Sequence, residues 1–393
     1  MGGGGKGGGG GEAPYRQNFA APSAPPVSKP PAPAHATDQT PSAWAPGRCS
    51  AKTSRPMLRP PPQASTSRTR HGAEMEGAAG RLAGWAVRAA AGACGVGAAA
   101  AALCVALQER LVYVPAPPGV PREYPCDPAY FRMPFRDLSL SAADGTLLHA
   151  WLILPPGRAG AGAGASGEPG PCLLWLQENA GNMAHRLPFV RILARRLGVA
   201  VLMLSYRGYG ASDGSPTQRG LEMDAEAALE WMRGGGDGGV DPRRLLVMGR
   251  SLGGAVALGL AAEHPGAFCG VVVENTFTCV ADMAGRLLPF LKPFLWRGSP
   301  LRAAIRNPWD NAELLARPRG SVGALSDPLL LLASGRDEMV GGQMSELRAA
   351  AESAGLEPVW KDFPEAHHMD AYEVARAQYW PALEAFCQEA LAR

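Results

Sequence analysis

Leu245-Leu246-Val247-Met248-Gly249-Arg250-Ser251-Leu252-Gly253-Gly254-Ala255-Val256 decides the fold. An apolar run of strand length passes through Gly-x-Ser-x-Gly into an alanine-rich stretch that continues to Glu263. A strand, this turn and a helix make a nucleophile elbow. The turn is so tight that only small residues fit beside the serine, and its hydroxyl is left exposed at the top of a parallel sheet. In a chain with 50 glycines the five-residue pattern alone also fits an ordinary surface turn. The strand-turn-helix context is what points to nucleophilic catalysis.

An elbow serine needs an acid and a histidine, and in this architecture they follow it in that order, each after a later strand. Leu329-Leu330-Leu331-Leu332-Ala333-Ser334 is such a strand, and Gly335-Arg336-Asp337 follows it. Val359-Trp360-Lys361-Asp362-Phe363-Pro364 is the next, and it delivers His367 and His368. Asp337 at a strand's carboxyl end can accept an imidazole NH, leaving the other ring nitrogen to take the serine proton.

Charge and composition divide the 393 residues. Residues 1–74 hold nine Lys or Arg against three carboxylates, a net of +6, whereas the whole chain carries +3 and the remainder therefore −3. The basic charge belongs to the amino-terminal part, so nothing in the rest points to nucleic acid. This stretch opens on a glycine tract and continues through Pro-rich sequence with little to bury, the composition of a disordered tail. Gly47 to Arg70 is basic and free of acids, as a transit peptide is, but its prolines suit an amphipathic helix poorly.

Residues 75–110 read as an anchor region. Ala89 to Leu107 is uncharged, and as a helix it would span roughly 28 Å, close to a bilayer's hydrocarbon thickness. Its strongly apolar residues are few: Val96, Leu103, Val105 and Leu107. It reads as one transmembrane signal anchor, with a cleaved signal peptide and a buried soluble helix as alternatives. Seven Lys or Arg from Lys52 to Arg88 precede it and only Arg110 and Arg122 follow closely, which predicts a single-pass protein with a cytoplasmic amino end.

From 111 to 393 the expected class is α/β. Leu138–Leu140 and Leu147–Leu154 read as a strand pair around Ala143-Asp144-Gly145. Cys172–Leu176, Ala200–Leu204, Leu245–Met248, Val271–Val273, Leu329–Ala333 and Val359–Phe363 are further short apolar runs, with helical stretches between most of them. The alternation predicts a mostly parallel central sheet with helices on both faces. Ala159–Pro171 reads as a Gly/Ala-rich surface loop. Cys279–Asn311 breaks the alternation and reads as a small lid over the site.

Four motifs occur in order: Gln177-Glu178-Asn179-Ala180-Gly181-Asn182, Ser205-Tyr206-Arg207-Gly208-Tyr209-Gly210, Gly249-Arg250-Ser251-Leu252-Gly253-Gly254 and Glu274-Asn275-Thr276-Phe277-Thr278. Together they resemble the bud-emergence class of α/β-hydrolases, over roughly Ala89 to the carboxyl end. The resemblance implies the α/β-hydrolase fold, with Ser251 as nucleophile, Asp337 as acid and His368 as base. Phe363-Pro364-Glu365-Ala366-His367-His368-Met369-Asp370 fits the class pattern at His368, leaving His367 as its neighbour. The wider class is similar to enzymes that remove acyl groups, protein palmitoyl thioesterases among them. The chain departs from the class at Gln177-Glu178, where most members have His-Gly, and at Gly341-Gly342, where the class has Pro-Pro.

Acyl transfer needs two backbone NH groups aimed at the oxyanion, and the fold predicts them at Leu252 and Asn179. A loop distorted by Glu178 would weaken that site, whereas the plainer reading makes Glu178 a solvated loop residue. Gln177 could donate a side-chain amide. Gln177, Glu178, Tyr206, Arg207 and Asn275 are the pocket candidates, although Arg207 is more simply a structural donor to nearby carbonyls. Asp282, Asp310 and Glu313 read as solvated lid charges. His149, His185 and His264 lack metal-ligand spacing, and the eight cysteines form no Cys-x-x-Cys. No metal and no cofactor are called for. The expectation is a membrane-anchored serine hydrolase acting on an ester or thioester of an apolar acyl chain, on a small molecule or a lipidated protein. The alternatives are a noncatalytic regulatory protein of the same fold, suggested by Gln177-Glu178, and a serine peptidase.

Overall fold

The computed structural model describes residues 102–155 and 169–393, together with 84–85, 87–89, 91–92, 95, 97 and 99. The tail of residues 1–74 and most of the Ala159–Pro171 loop lie outside the described residues, as does part of Ala89–Leu107. Among the described residues no helix is long and apolar enough to cross a membrane.

Eight strands form one sheet in the order β1-β2-β4-β3-β5-β6-β7-β8. They are β1 Phe135–Ser141, β2 Leu147–Ile153, β3 Gly170–Leu176, β4 Ala200–Leu204, β5 Val240–Arg250, β6 Gly270–Glu274, β7 Leu329–Ser334 and β8 Val359–Phe363. β1 and β2 pair antiparallel, and so do β2 and β4; every other pairing is parallel. β3, β4, β6 and β7 are buried almost end to end, because a parallel sheet covered on both faces exposes neither side of a central strand. Edge strand β8 buries only Phe363.

Two apolar layers sandwich the sheet. Helices α3 (Gln218–Arg233), α4 (Leu252–Glu263), α7 (Asn311–Leu315) and α8 (Gln343–Ser353) cover one face. Helices α2 (Leu187–Leu197) and α10 (Arg376–Ala392) cover the other. α4 is apolar on all sides because it is buried all round, with Leu252 to Leu258 wholly inside. α1 (Gln108–Val112) precedes the sheet, and α9 (Ala371–Val374) leads into α10.

Several expected boundaries move. β3 begins at Gly170, inside the expected loop, because Gly170 pairs with Val240. β5 likewise begins at Val240, five residues before its apolar run, and the register is irregular until Cys172 meets Leu245. The expected lid contains α5 (Val280–Leu287), a 3-10 turn Pro289–Phe294 and α6 (Pro300–Ala303). Its far limit is Asn311, which is buried and opens α7 in the main body.

Candidate active site

The chain turns from β5 into α4 at Ser251, whose φ is 53° and ψ −119°. For a residue with a Cβ such a backbone is strained, and it persists only where the surroundings over-determine it. Here they do. The Ser251 amide donates to Glu274 O at 2.9 Å, and its carbonyl accepts from Thr276 Oγ1 at 2.7 Å. A Cβ on Gly249 would stand 2.0 Å from Gly253 O, and one on Gly253 would stand 2.0 Å from Leu176 O. Only glycine lets the turn pack against the end of β3, which is what the Gly-x-Ser-x-Gly spacing is for.

Asp337 follows β7 and His368 follows β8. Their side chains meet, with His368 Nδ1 and Asp337 Oδ2 2.8 Å apart, both residues being buried. Asp337 Oδ1 accepts the amides of Met339 and Val340, each at 2.8 Å. Burial pushes the Asp337 carboxyl up, but His368 and those two amides outweigh it and hold the group below its usual range. His367 points elsewhere: its Nδ1 lies 3.3 Å from Glu338 Oε2, and its side chain is half exposed. Among the described residues Ser251 Oγ makes no hydrogen bond, so the Asp–His contact is closed and the Ser–His contact open. Catalytic contacts of this kind commonly tighten only around substrate.

Asn275 joins two parts of the site. At φ 45° it caps β6, accepts the Ser334 amide at 2.9 Å and donates to His368 O at 2.9 Å. It is wholly buried, and so is Tyr206, whose hydroxyl donates to Gln177 O at 3.3 Å. Both support loops and neither lines a pocket, since no surface is left for substrate. Arg207 is also scaffold: its Nε donates to Asp224 Oδ1 at 2.8 Å and its Nη1 to Asp144 Oδ2 at 2.7 Å. Asp282 and Asp310 are not simply solvated, because each lies 3.5 Å from Arg302.

Glu178 overturns both expectations for it. It is 4% exposed, neither solvated nor open to a pocket. Its Oε1 accepts from Arg250 Nη1 at 2.8 Å and its Oε2 lies 2.5 Å from Arg186 Nε. Arg250, beside the nucleophile, also donates to Glu274 Oε2 at 3.0 Å, and the Tyr379 hydroxyl donates to the same oxygen at 2.7 Å. The guanidinium lies 4.6 Å from the centre of the Phe189 ring. Burial pushes the Glu178 carboxyl up, but Arg186 and Arg250 more than offset this and hold it below its usual range. Rather than distorting the loop after β3, Glu178 ties it to the elbow. Sequence reasoning singled out Glu178 and missed Arg250. The available signal was an arginine at the second position of the elbow motif, at the end of the buried run Leu245–Gly249.

Asn179 fastens the same loop from its other side. Its Oδ1 accepts from the Val114 amide at 3.0 Å and the Tyr209 hydroxyl at 2.7 Å, and its Nδ2 donates to Val112 O at 2.5 Å. Gln177 is wholly buried, and neither atom of its side-chain amide is bonded among the described residues. Leu252 opens α4, so its amide has no intrahelical acceptor.

A family model described as the prolyl oligopeptidase family matches residues 190–393, which include Ser251, Asp337 and His368. The α/β-hydrolase domain-containing protein WAV2 of Arabidopsis thaliana is 41% identical over 294 residues, which is 73% of this chain and 89% of WAV2. Protein bem46 of Schizosaccharomyces pombe is 32% identical over 67% of this chain and 80% of its own length. Among solved structures, a Pyrococcus furiosus esterase superposes with a TM-score of 0.53 at 18% identity, over 71% of this chain and 97% of the esterase, a likeness of fold alone. The chain belongs to the prolyl oligopeptidase family of α/β-hydrolases, in the bud-emergence group that bem46 and WAV2 represent.

Proposed function

We propose that the chain is a membrane-anchored serine hydrolase that cleaves an ester or thioester of an apolar acyl group. The observation that carries the reading is the strained Ser251 backbone, φ 53° and ψ −119°, at the end of a sheet where Asp337 already holds His368 at 2.8 Å. In this mechanism His368 Nε2 takes the Ser251 proton as Oγ attacks the acyl carbonyl, and returns it to the leaving group as the tetrahedral intermediate collapses. Water then repeats the sequence on the acyl-enzyme. Asp337 keeps the imidazole in the tautomer with Nδ1 protonated. The amides of Leu252 and Asn179 hold the oxyanion, each such donor being worth about 2.7–4 kcal/mol. The lid segment, which exposes Leu287, Leu288 and Phe290 and touches the Asp337 loop through Arg286, favours an apolar acyl chain.

The noncatalytic alternative was suggested by Gln177-Glu178, and a Glu178 bound to two guanidiniums weakens it, because that residue braces the loop instead of distorting it. Peptide cleavage is the second reading, favoured by the description of the family model. A fluorophosphonate probe tests catalysis: it labels the purified chain and leaves Ser251→Ala unlabelled. Acyl esters and thioesters set against peptide amides then separate the two bond types. Esterase activity surviving in full in Ser251→Ala refutes the mechanism. The uncharged Ala89–Leu107 run supports a single-pass anchor with a cytoplasmic amino end. Resistance to alkaline carbonate tests the anchor, and protease protection of sealed vesicles tests its sidedness.

A further inference from the structure

Between β6 and β7 the chain exposes five large apolar side chains within ten residues. Leu287, Leu288, Phe290, Phe294 and Trp296 are each between 46% and 68% exposed. A folded surface does not leave such a cluster to water without a use. The geometry points to a lipid surface bearing anionic headgroups as its partner, with this lid segment lying in the interface.

Charge selects that partner. From Ala284 to Trp309 the chain holds Arg286, Lys292, Arg297, Arg302 and Arg306 and no carboxylate. Arg286 donates to the carbonyls of Met339 and Asp337, Arg302 meets Asp282 and Asp310, and Arg306 meets Glu109. Lys292 and Arg297 are exposed among the apolar residues and have no ion pair among the described residues. Rings and leucines enter the acyl boundary while flanking ammonium and guanidinium groups reach headgroup phosphates. A second copy is the weaker occupant, because pairing this face with itself brings its uncompensated cations together.

The path of the chain selects it independently. α1 docks on the same segment: Gln108 Oε1 accepts the Arg306 amide at 2.7 Å, and Gln108 Nε2 donates to Ala304 O at 3.3 Å. Glu109 takes both Arg306 Nε at 2.8 Å and Nη2 at 2.6 Å. Trp309 Nε1 donates to the Tyr113 hydroxyl at 3.0 Å. The uncharged Ala89–Leu107 run ends one residue before α1, so it joins the domain on the lid side. An anchor there sets the lid against the bilayer, and this second argument rests on the anchor reading proposed above. Through Arg286 the lid also touches the loop of Asp337, so the docked face borders the site.

The test uses the full chain in phosphatidylcholine vesicles containing phosphatidylserine. Phe290, Phe294 or Trp296 is exchanged, one at a time, for photoreactive p-benzoylphenylalanine, which exposed positions accept without loss of the melting transition. Val322, 99% exposed in the segment leading to the opposite end of β7, is the control position. The expected result is lipid adducts at the three lid positions well above those at Val322. Lys292→Gln and Arg297→Gln should each lower the yield by up to roughly fivefold, the worth of one cation at an anionic surface. Lid yields no higher than at Val322, or adducts mainly to a second copy or another protein, overturn the proposal. Carbonate extraction of the same chain keeps the two readings apart: a chain that washes off yet gives lid adducts retains the docking face and loses the anchor.

Discussion

Arg250→Met tests whether the buried ion cluster holds the elbow to the loop after β3. Methionine keeps most of the stem's volume and removes the charge, leaving two carboxylates behind: Glu178 at 4% exposure and Glu274 at 0%. Glu178 retains Arg186, and Glu274 retains the Tyr379 hydroxyl. Removing one partner from a buried pair costs about 3–5 kcal/mol. With about 2 °C of melting shift per kcal/mol for a domain of this size, the melting temperature falls by roughly 6–10 °C at neutral pH. Glu178 has a depressed carboxyl pKa in the fold, so its contribution is fully present above the unfolded value and is lost as pH falls through the folded one. Without Arg250 that depression shrinks, and the gap between wild type and variant should narrow as the solution is acidified. The double variant Arg250→Met, Glu274→Gln keeps the Arg186–Glu178 pair, strands no charge and should recover most of the loss. Thermal unfolding at several pH values reads all three. A single variant as stable as wild type, or a double variant less stable than the single, refutes the argument.

The proposed catalytic groups act as a unit. Ser251→Ala and His368→Ala should each lower kcat by on the order of 10⁶ and Asp337→Asn by about 10⁴, non-additively, with His367→Ala near wild type in an ester assay. Active His368→Ala beside dead His367→Ala would show the wrong ring was assigned. Burial pushes the Asp327 carboxyl up to about 6, and its Oδ2 has no partner among the described residues. A raised carboxyl pKa gives stability below the unfolded value that is lost as pH rises through about 6. Asp327→Asn should therefore stabilise by about 2–3 kcal/mol at pH 7, an advantage that vanishes below about pH 4, and a melting curve series with no such convergence refutes it. Gly253→Ala sets a Cβ against Leu176 O and should lower stability by about 1–3 kcal/mol or more and abolish fluorophosphonate labelling. Normal labelling would mean the elbow can relax.

Much of the fold was legible because a parallel sheet writes itself as apolar runs. Ala200–Leu204 and Val359–Phe363 are strands to the residue, the first buried from end to end and the second, at the sheet edge, bounded by Pro358 and Pro364. The start of β5 was missed by five residues because Asp241, Arg243 and Arg244 are charged, Pro242 stands among them, and three of the four are exposed. They lie between two pairings, Val240 with Gly170 and Leu245 with Cys172, the first of which no local pattern announces. The lid's far boundary slipped for a related reason: Asn311 reads as a surface residue, but its Nδ2 donates to Phe277 O at 2.8 Å inside the body.

Ser251 and Asp337 stood out as candidates because each follows an apolar strand, in an order that is a property of the chain, whereas the choice of His368 over His367 came from the family resemblance. Glu178 and Arg250 could not be interpreted singly. They lie 72 positions apart, and Arg250 and Glu274 lie 24 apart. Each alone resembles a solvated charge, and burying one alone would be prohibitive. Two guanidiniums and two carboxylates buried together are electrically neutral, and only the fold brings them together. The departure from His-Gly at positions 177 and 178 is thus one half of a pairing whose other half is the arginine before the nucleophile. A glycine at 178 would leave Arg250 with a single carboxylate. Substituting 178 toward the class pattern should therefore weaken this chain unless position 250 changes with it.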